Sequence, residues 1–258
     1  MNEGDRLHLP GALHGLELFD CKPKVTQCLV SQAAEKDGLS TLSIECCELN
    51  DVIKGMVRTT LKKDTLSNVS LTAPSHNPFI PSYKQQPMNE FLSSLTNHTQ
   101  LRSVKIELRR MSEQDENDVI TIIRSNPLET LHFYFCQFSD RIWRIMTEHL
   151  PAMSSLREFR IECPRDDHWM SALAALPQNL YTLHVDAYIQ EEDRDDTRVP
   201  SSVLKELFGS IKDCKNLTTL TLFGLDIDDS SDRDLCAMLQ SLRHLDVLDL
   251  FGNRLTSD

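Results

Sequence analysis

No run of about 18 apolar residues occurs in the sequence, so no segment reads as a membrane-crossing helix. The opening, MNEGDRLHLPGALHGLELFD, lacks a basic region followed by an apolar run and does not read as a secretory signal. Basic charge is scarce, with 27 Lys and Arg against 39 Asp and Glu, a formal net charge of −12. The densest basic runs are Lys62-Lys63 and Arg109-Arg110. Neither is long enough to form a segregated basic patch, so nucleic acid and anionic membrane are not expected partners. Eight cysteines (Cys21, Cys28, Cys46, Cys47, Cys136, Cys163, Cys214 and Cys236) are scattered, with no C-x-x-C pair. They read as reduced thiols of a cytosolic protein, and no zinc-ligand spacing or other cofactor motif is visible. The phosphate loop G-x-x-x-x-G-K-[ST], the G-x-S-x-G elbow and H-E-x-x-H are all missing. No catalytic residue, cofactor or metal is therefore expected.

What is present is an internal repeat, the feature to seek first because it decides the fold. The stretch LDVLDLFGNRL from Leu245 supplies a template, L-x-x-L-x-L-x-x-N-x-L. Sliding it backwards finds LTTLTLFGL from Leu217, LYTLHVDAY from Leu180, LREFRIECP from Leu156 and LETLHFYFC from Leu128. LRSVKIELR from Leu101, LSNVSLTAP from Leu66, LSTLSIECC from Leu39 and LHGLELFDC from Leu13 complete nine copies. The first position is Leu in all nine, and the fourth and sixth are always apolar. Intervals between copies are 26, 27, 35, 27, 28, 24, 37 and 28 residues, averaging 29.

Positions 4 and 6 alternate with other positions at the period of a strand, so each copy supplies a short strand with its apolar residues turned inward. Segments between the strands have helical spacing. SDRIWRIMTEHLP places Ile142, Ile145 and Met146 on one face, with Ser139 as the expected N-cap. SSVLKELFGSIKD does the same with Leu204, Leu207, Phe208 and Ile211. One strand and one helix cannot bury their own leucines, whereas stacked neighbours can. A helix is wider than the roughly 4.8 Å between strands, so the stack is expected to curve.

At position 9, Cys21, Cys47, Cys136 and Asn253 are expected to satisfy backbone groups where the strand turns away. Pro74, Arg109, Pro164, Tyr188 and Leu225 depart from that pattern, and irregular turns are expected there. Residues 74–87, with four prolines, and 190–200, with five acids and two arginines, read as loops bulging from the stack. Trp143 and Trp169 lie in helical segments and are expected in the core.

The template resembles the leucine-rich-repeat signature. Repeats averaging 29 residues, helical after the strand and with Cys or Asn at position 9, resemble the ribonuclease-inhibitor-like class. That class includes ribonuclease inhibitor and the C-terminal sensor region of NOD-like receptors. The resemblance implies an α/β solenoid, a horseshoe with parallel strands on its concave face and helices on its convex face. It also implies an intracellular protein, against which the sequons at Asn68, Asn97 and Asn216 carry little weight. Residues 1–258 are read as one domain of nine repeats, and as a fragment of a longer solenoid because the ninth strand lacks a helix after it.

In that register positions 5 and 7 point away from the leucines and form the expected binding face. Position 5 carries Lys105, His132, Arg160 and His184 in the middle copies, and position 7 carries Glu107, Tyr134, Glu162 and Asp186. Lys105 is expected to meet Glu107, and Arg160 to meet Glu162, as exposed pairs contributing little. Arg160 and Tyr134 are anchors of the type enriched in binding hot spots. Phe223 and Phe251 fall side by side in the last two copies and are expected to form an exposed aromatic patch. The expected function is protein binding, as the ligand-sensing or autoinhibitory region of a NOD-like innate immune receptor. The alternative is a stand-alone inhibitor or adaptor that occludes a partner. In either case the partner is a protein or an adjoining domain of the same chain.

Overall fold

A computed structural model gives the fold and describes residues 9, 12–45, 47–72, 88–108, 111–134, 138–162, 173–187 and 201–256. The proline-rich stretch 74–87, the acidic stretch 190–200, Cys46, Arg109, Arg110, Cys136, Cys163, Pro164, Trp169 and Tyr188 lie outside the described residues. The chain is α/β. Its strands are β1 (Gly15–Phe19), β2 (Thr41–Glu45), β3 (Asn68–Thr72), β4 (Ser103–Glu107), β5 (Thr130–Tyr134), β6 (Glu158–Glu162), β7 (Thr182–Asp186), β8 (Thr219–Phe223) and β9 (Val247–Asp249). Every strand begins two residues after the template leucine. The described helices are α1 (Pro23–Ala34), α2 (Asp51–Leu61), α3 (Leu92–Leu95), α4 (Glu113–Ser125), α5 (Asp140–His149), α6 (Ser201–Asp213) and α7 (Asp232–Ser241). None of them is long and apolar enough to cross a membrane.

The chain divides into two compact units. The first holds β1–β4 and α1–α4. Its strands pair in parallel and in chain order, with like template positions opposite one another: Leu16 faces Leu42, Leu42 faces Val69, and Val69 faces Val104. The second holds β5–β9 and α5–α7. There Leu131, Phe159, Leu183, Leu220 and Leu248 form the equivalent row. Pairing of like with like follows from the two-residue strand period, because a one-residue slip would turn every leucine outward.

Positions 4 and 6 of β1–β8 are buried, and so is one stripe of each longer helix. In α6 the buried stripe is Leu204, Leu207, Phe208 and Ile211, as the helical spacing predicts. In α5 it is Ile142, Trp143 and Met146, with Ile145 only half-buried. Trp143 packs edge-on against Phe138 at 4.9 Å, and Phe138 against Phe133 at 5.0 Å. Each such side chain contributes about 2–3 kcal/mol by leaving water. Leu248 in β9 is 41% exposed, unlike its fully buried counterparts Leu183 and Leu220.

Helix starts are fixed by local chemistry. Pro23 opens α1, where its missing N–H costs nothing. Asn50 Oδ1 accepts from Ile53 N at 3.0 Å ahead of α2. Ser112 and Asp115 form a reciprocal capping box on α4. Ser139 is the N-cap residue of α5, as the sequence expects, with extended backbone, although its side chain makes no capping bond among the described residues. Helices α1 and α2 pack together, as do α3 with α4 and α6 with α7.

Candidate functional site

The turn after each strand sets where the face residues point. In the second unit Asn253 performs the role expected of position 9. Its Oδ1 accepts from Leu225 N at 3.0 Å and Ile227 N at 3.1 Å. Its Nδ2 donates to Leu222 O and Leu250 O, both at 2.7 Å. Gly224 and Gly252, both at position 8, sit in the left-handed region with φ of 65° and 76°. A Cβ on Gly252 would meet Gly224 N at 3.4 Å, an ordinary contact, so it is the left-handed backbone that calls for glycine there. In the first unit Cys47 occupies position 9. Its thiol donates to Glu45 O at 3.3 Å and Leu18 O at 3.8 Å, while its Sγ accepts from Cys21 N at 3.4 Å. Burial pushes the Cys47 thiol pKa up, so it is held as a thiol and serves the turn.

With the turns fixed, positions 5 and 7 of the second unit form one face. Strand register sets His132 opposite Arg160, Arg160 opposite His184, and His184 opposite Thr221. It also sets Glu162 opposite Asp186 and Asp186 opposite Phe223. Arg160 Nε donates to Glu162 Oε1 at 2.7 Å, and Arg160 Nη2 contacts the same oxygen. The guanidinium also lies 5.6 Å from the centre of the Tyr134 ring, within cation–π range. Tyr134 Oη sits 3.1 Å from His132 Nδ1. His132 Nε2 lies 2.9 Å from Glu158 Oε1, an ion pair whenever the imidazole is charged.

This face is not the wet surface its polar composition predicts. His132 is 3% exposed and Glu162 is buried too, as is Glu107 on the face of the first unit. Neighbouring strands stand about 4.8 Å apart, so each side chain is walled in by those of the strands beside it. Strand periodicity tells which side a residue takes but not how deep its neighbours bury it. The expected Arg160–Glu162 pair forms. Lys105 and Glu107, at the edge of the first unit, form no ion pair with each other among the described contacts. Phe223 and Phe251 stack with centroids 5.4 Å apart at 25°; Phe251 is 72% exposed, as the register predicts, whereas Phe223 is half-buried rather than exposed.

His184 stands apart chemically. Its Nε2 is buried, has no hydrogen-bond partner among the described residues, and lies 4.0 Å from Glu162 Oε1. Burial, then the charges of Arg160 and His132, push its pKa down to about 4, against an opposing pull from Asp249. A ring nitrogen of His184 and carboxylate oxygens of Glu162 and Asp186 all lie within 4.8 Å of one another. The repeat register already set all three on one face; what the sequence did not show was the closeness of their donor atoms. Two further contributors went unselected in the sequence, Glu158 at position 3 and Asp249 at position 5. The signal for both was their place on the same face as Arg160. No protein-family model matches the chain, and no curated protein matches it.

Proposed function

We propose that the chain is a leucine-rich-repeat protein of the ribonuclease-inhibitor-like class and that it acts by binding a protein on the strand face of its second unit. The observation that carries this reading is the exposed Phe251 ring stacked on the half-buried Phe223, continuous through Asp186 with the Arg160–Tyr134–Glu162 cluster. An exposed aromatic ring backed by a second one, beside partly desolvated charges, offers the apolar anchor and polar rim on which protein interfaces depend. The matching partner surface carries an aliphatic or aromatic side chain flanked by Lys or Arg. The mechanism is contact without chemistry. As the sensing or autoinhibitory region of an intracellular NOD-like receptor, the face would hold an adjoining domain or ligand in one of two receptor states and shift their populations.

Proximity labelling in cells tests the surface, with the double variant Arg160→Glu/Tyr134→Ala beside the native chain. Proteins labelled by the native chain should drop out with the variant while its circular dichroism stays native. Equal labelling of both would sink the assignment of this face. Sequencing the full-length transcript tests the receptor reading, which expects an upstream domain with a phosphate-binding loop; a transcript without one removes it.

The net charge of −12 favours a second reading, a stand-alone inhibitor or adaptor that occludes a basic partner. Salt separates the two. An inhibitor steered by charge loses affinity steeply as ionic strength rises, whereas a contact held by the aromatic stack does not.

A further inference from the structure

We propose that Glu162, His184 and Asp186 form a site for a first-row divalent cation, with Zn2+ the best match to their donors. This goes beyond partner binding and rests on different observations. The three residues sit on adjacent parallel strands. His184 and Asp186 are two apart on β7 and share a face, and Glu162 on β6 is the register partner of Asp186. Their donor atoms already lie within 4.8 Å of one another. A cation about 2.1 Å from each donor needs donor separations of roughly 3–4 Å. Side-chain rotation covers that difference, and the paired backbones need not move.

The second observation concerns His184 itself. A buried imidazole nitrogen ordinarily finds a partner. His184 Nε2 has none among the described residues, although it is buried 4.0 Å from Glu162 Oε1 on a ring that shares the cluster with Asp186. A cation accepts the lone pair of that nitrogen in a way that the acceptor-only carboxylates cannot. Glu162 is oriented for the role by Arg160, which holds it through Oε1, while Oε2 accepts no hydrogen bond among the described contacts. That is the outer-shell support that ligating carboxylates usually have. The positive Arg160 weakens cation binding, and the two carboxylates together outweigh it. One imidazole nitrogen with two carboxylate oxygens favours Zn2+ and its neighbours over Mg2+ or Ca2+, which prefer oxygen alone. Water completes the shell on the open side of the strands.

Isothermal titration of Zn2+ into the untagged, chelator-treated full chain tests the site, with Mg2+ and the variants His184→Gln and Asp186→Asn alongside. Thiols blocked beforehand remove the cysteines as rival ligands. The native chain should bind one Zn2+ and gain thermal stability from it. Each variant should bind at least about ten-fold more weakly, and Mg2+ should not compete. If His184→Gln fails to fold, Asp186→Asn decides the matter alone. Absence of Zn2+ binding by the native chain, or native affinity in a folded variant, overturns the site.

Discussion

The two units use one strand template and fill its outward face with different chemistry. In the first, Glu45 Oε1 accepts from Ser43 Oγ at 3.0 Å and from Ser70 Oγ at 2.7 Å. Short hydroxyls close that network on itself. In the second, the corresponding positions hold His132, Arg160, His184, Glu162 and Asp186. Their pairings leave His184 Nε2 without a hydrogen bond, and an aromatic stack stands beside them. A self-satisfied face serves the fold. A face with titratable groups held in a demanding geometry is where binding is to be sought.

The largest effects should fall on what the units share. Leu42→Ala in the first and Leu183→Ala in the second each empty a fully buried position and should cost about 2–5 kcal/mol in chemical denaturation. Leu248→Ala, at a position 41% exposed, should cost about 1 kcal/mol or less. Equal losses at all three would mean that β9 packs as its neighbours do.

Turns come next. Asn253→Ala removes four hydrogen bonds and should cost about 1–3 kcal/mol. Cys47→Ala replaces weaker sulfur contacts and should cost about 1 kcal/mol. The reverse order would show that position 9 does not act through these bonds.

A smaller effect is confined to the second unit. His184 titrates near pH 4 when folded and near its ordinary 6.5 when unfolded. The unfolded chain therefore binds a proton that the fold resists. Stability is unaffected by this group above pH 6.5 and falls as pH drops from there towards 4. With partial exposure allowed for, the loss is about 1–2 kcal/mol. Denaturation curves of the native chain and His184→Gln across that window should diverge by this amount; parallel curves would show that the imidazole is not held neutral. The least change is expected from Ser70→Ala, about 1 kcal/mol or less, since Ser43 still serves Glu45.

The strand starts were legible because three apolar positions recur in every copy, and a period of two admits only one register. The α6 stripe was legible for the same reason at period 3.6. The depth of the face was not. Nothing in the linear order of His132 or Glu162 announces their burial, which arises from side chains on neighbouring strands. Ser139 shows a further limit, since a good capping residue in the right backbone conformation can still leave its hydroxyl unused. Repeat counting put Glu162, His184 and Asp186 on one face, but the burial of His184 Nε2 and the closeness of the donor atoms came only with the placed side chains.

Phe19 and Phe251 provide the most direct test, because they occupy the same template position and are almost equally exposed, at 71% and 72%. The measurement is proximity labelling in cells by the native chain, Phe19→Ser and Phe251→Ser, each confirmed as folded. The account predicts that Phe251→Ser loses the native neighbours while Phe19→Ser keeps them. Loss with Phe19→Ser and retention with Phe251→Ser would contradict it and move the binding face to the first unit.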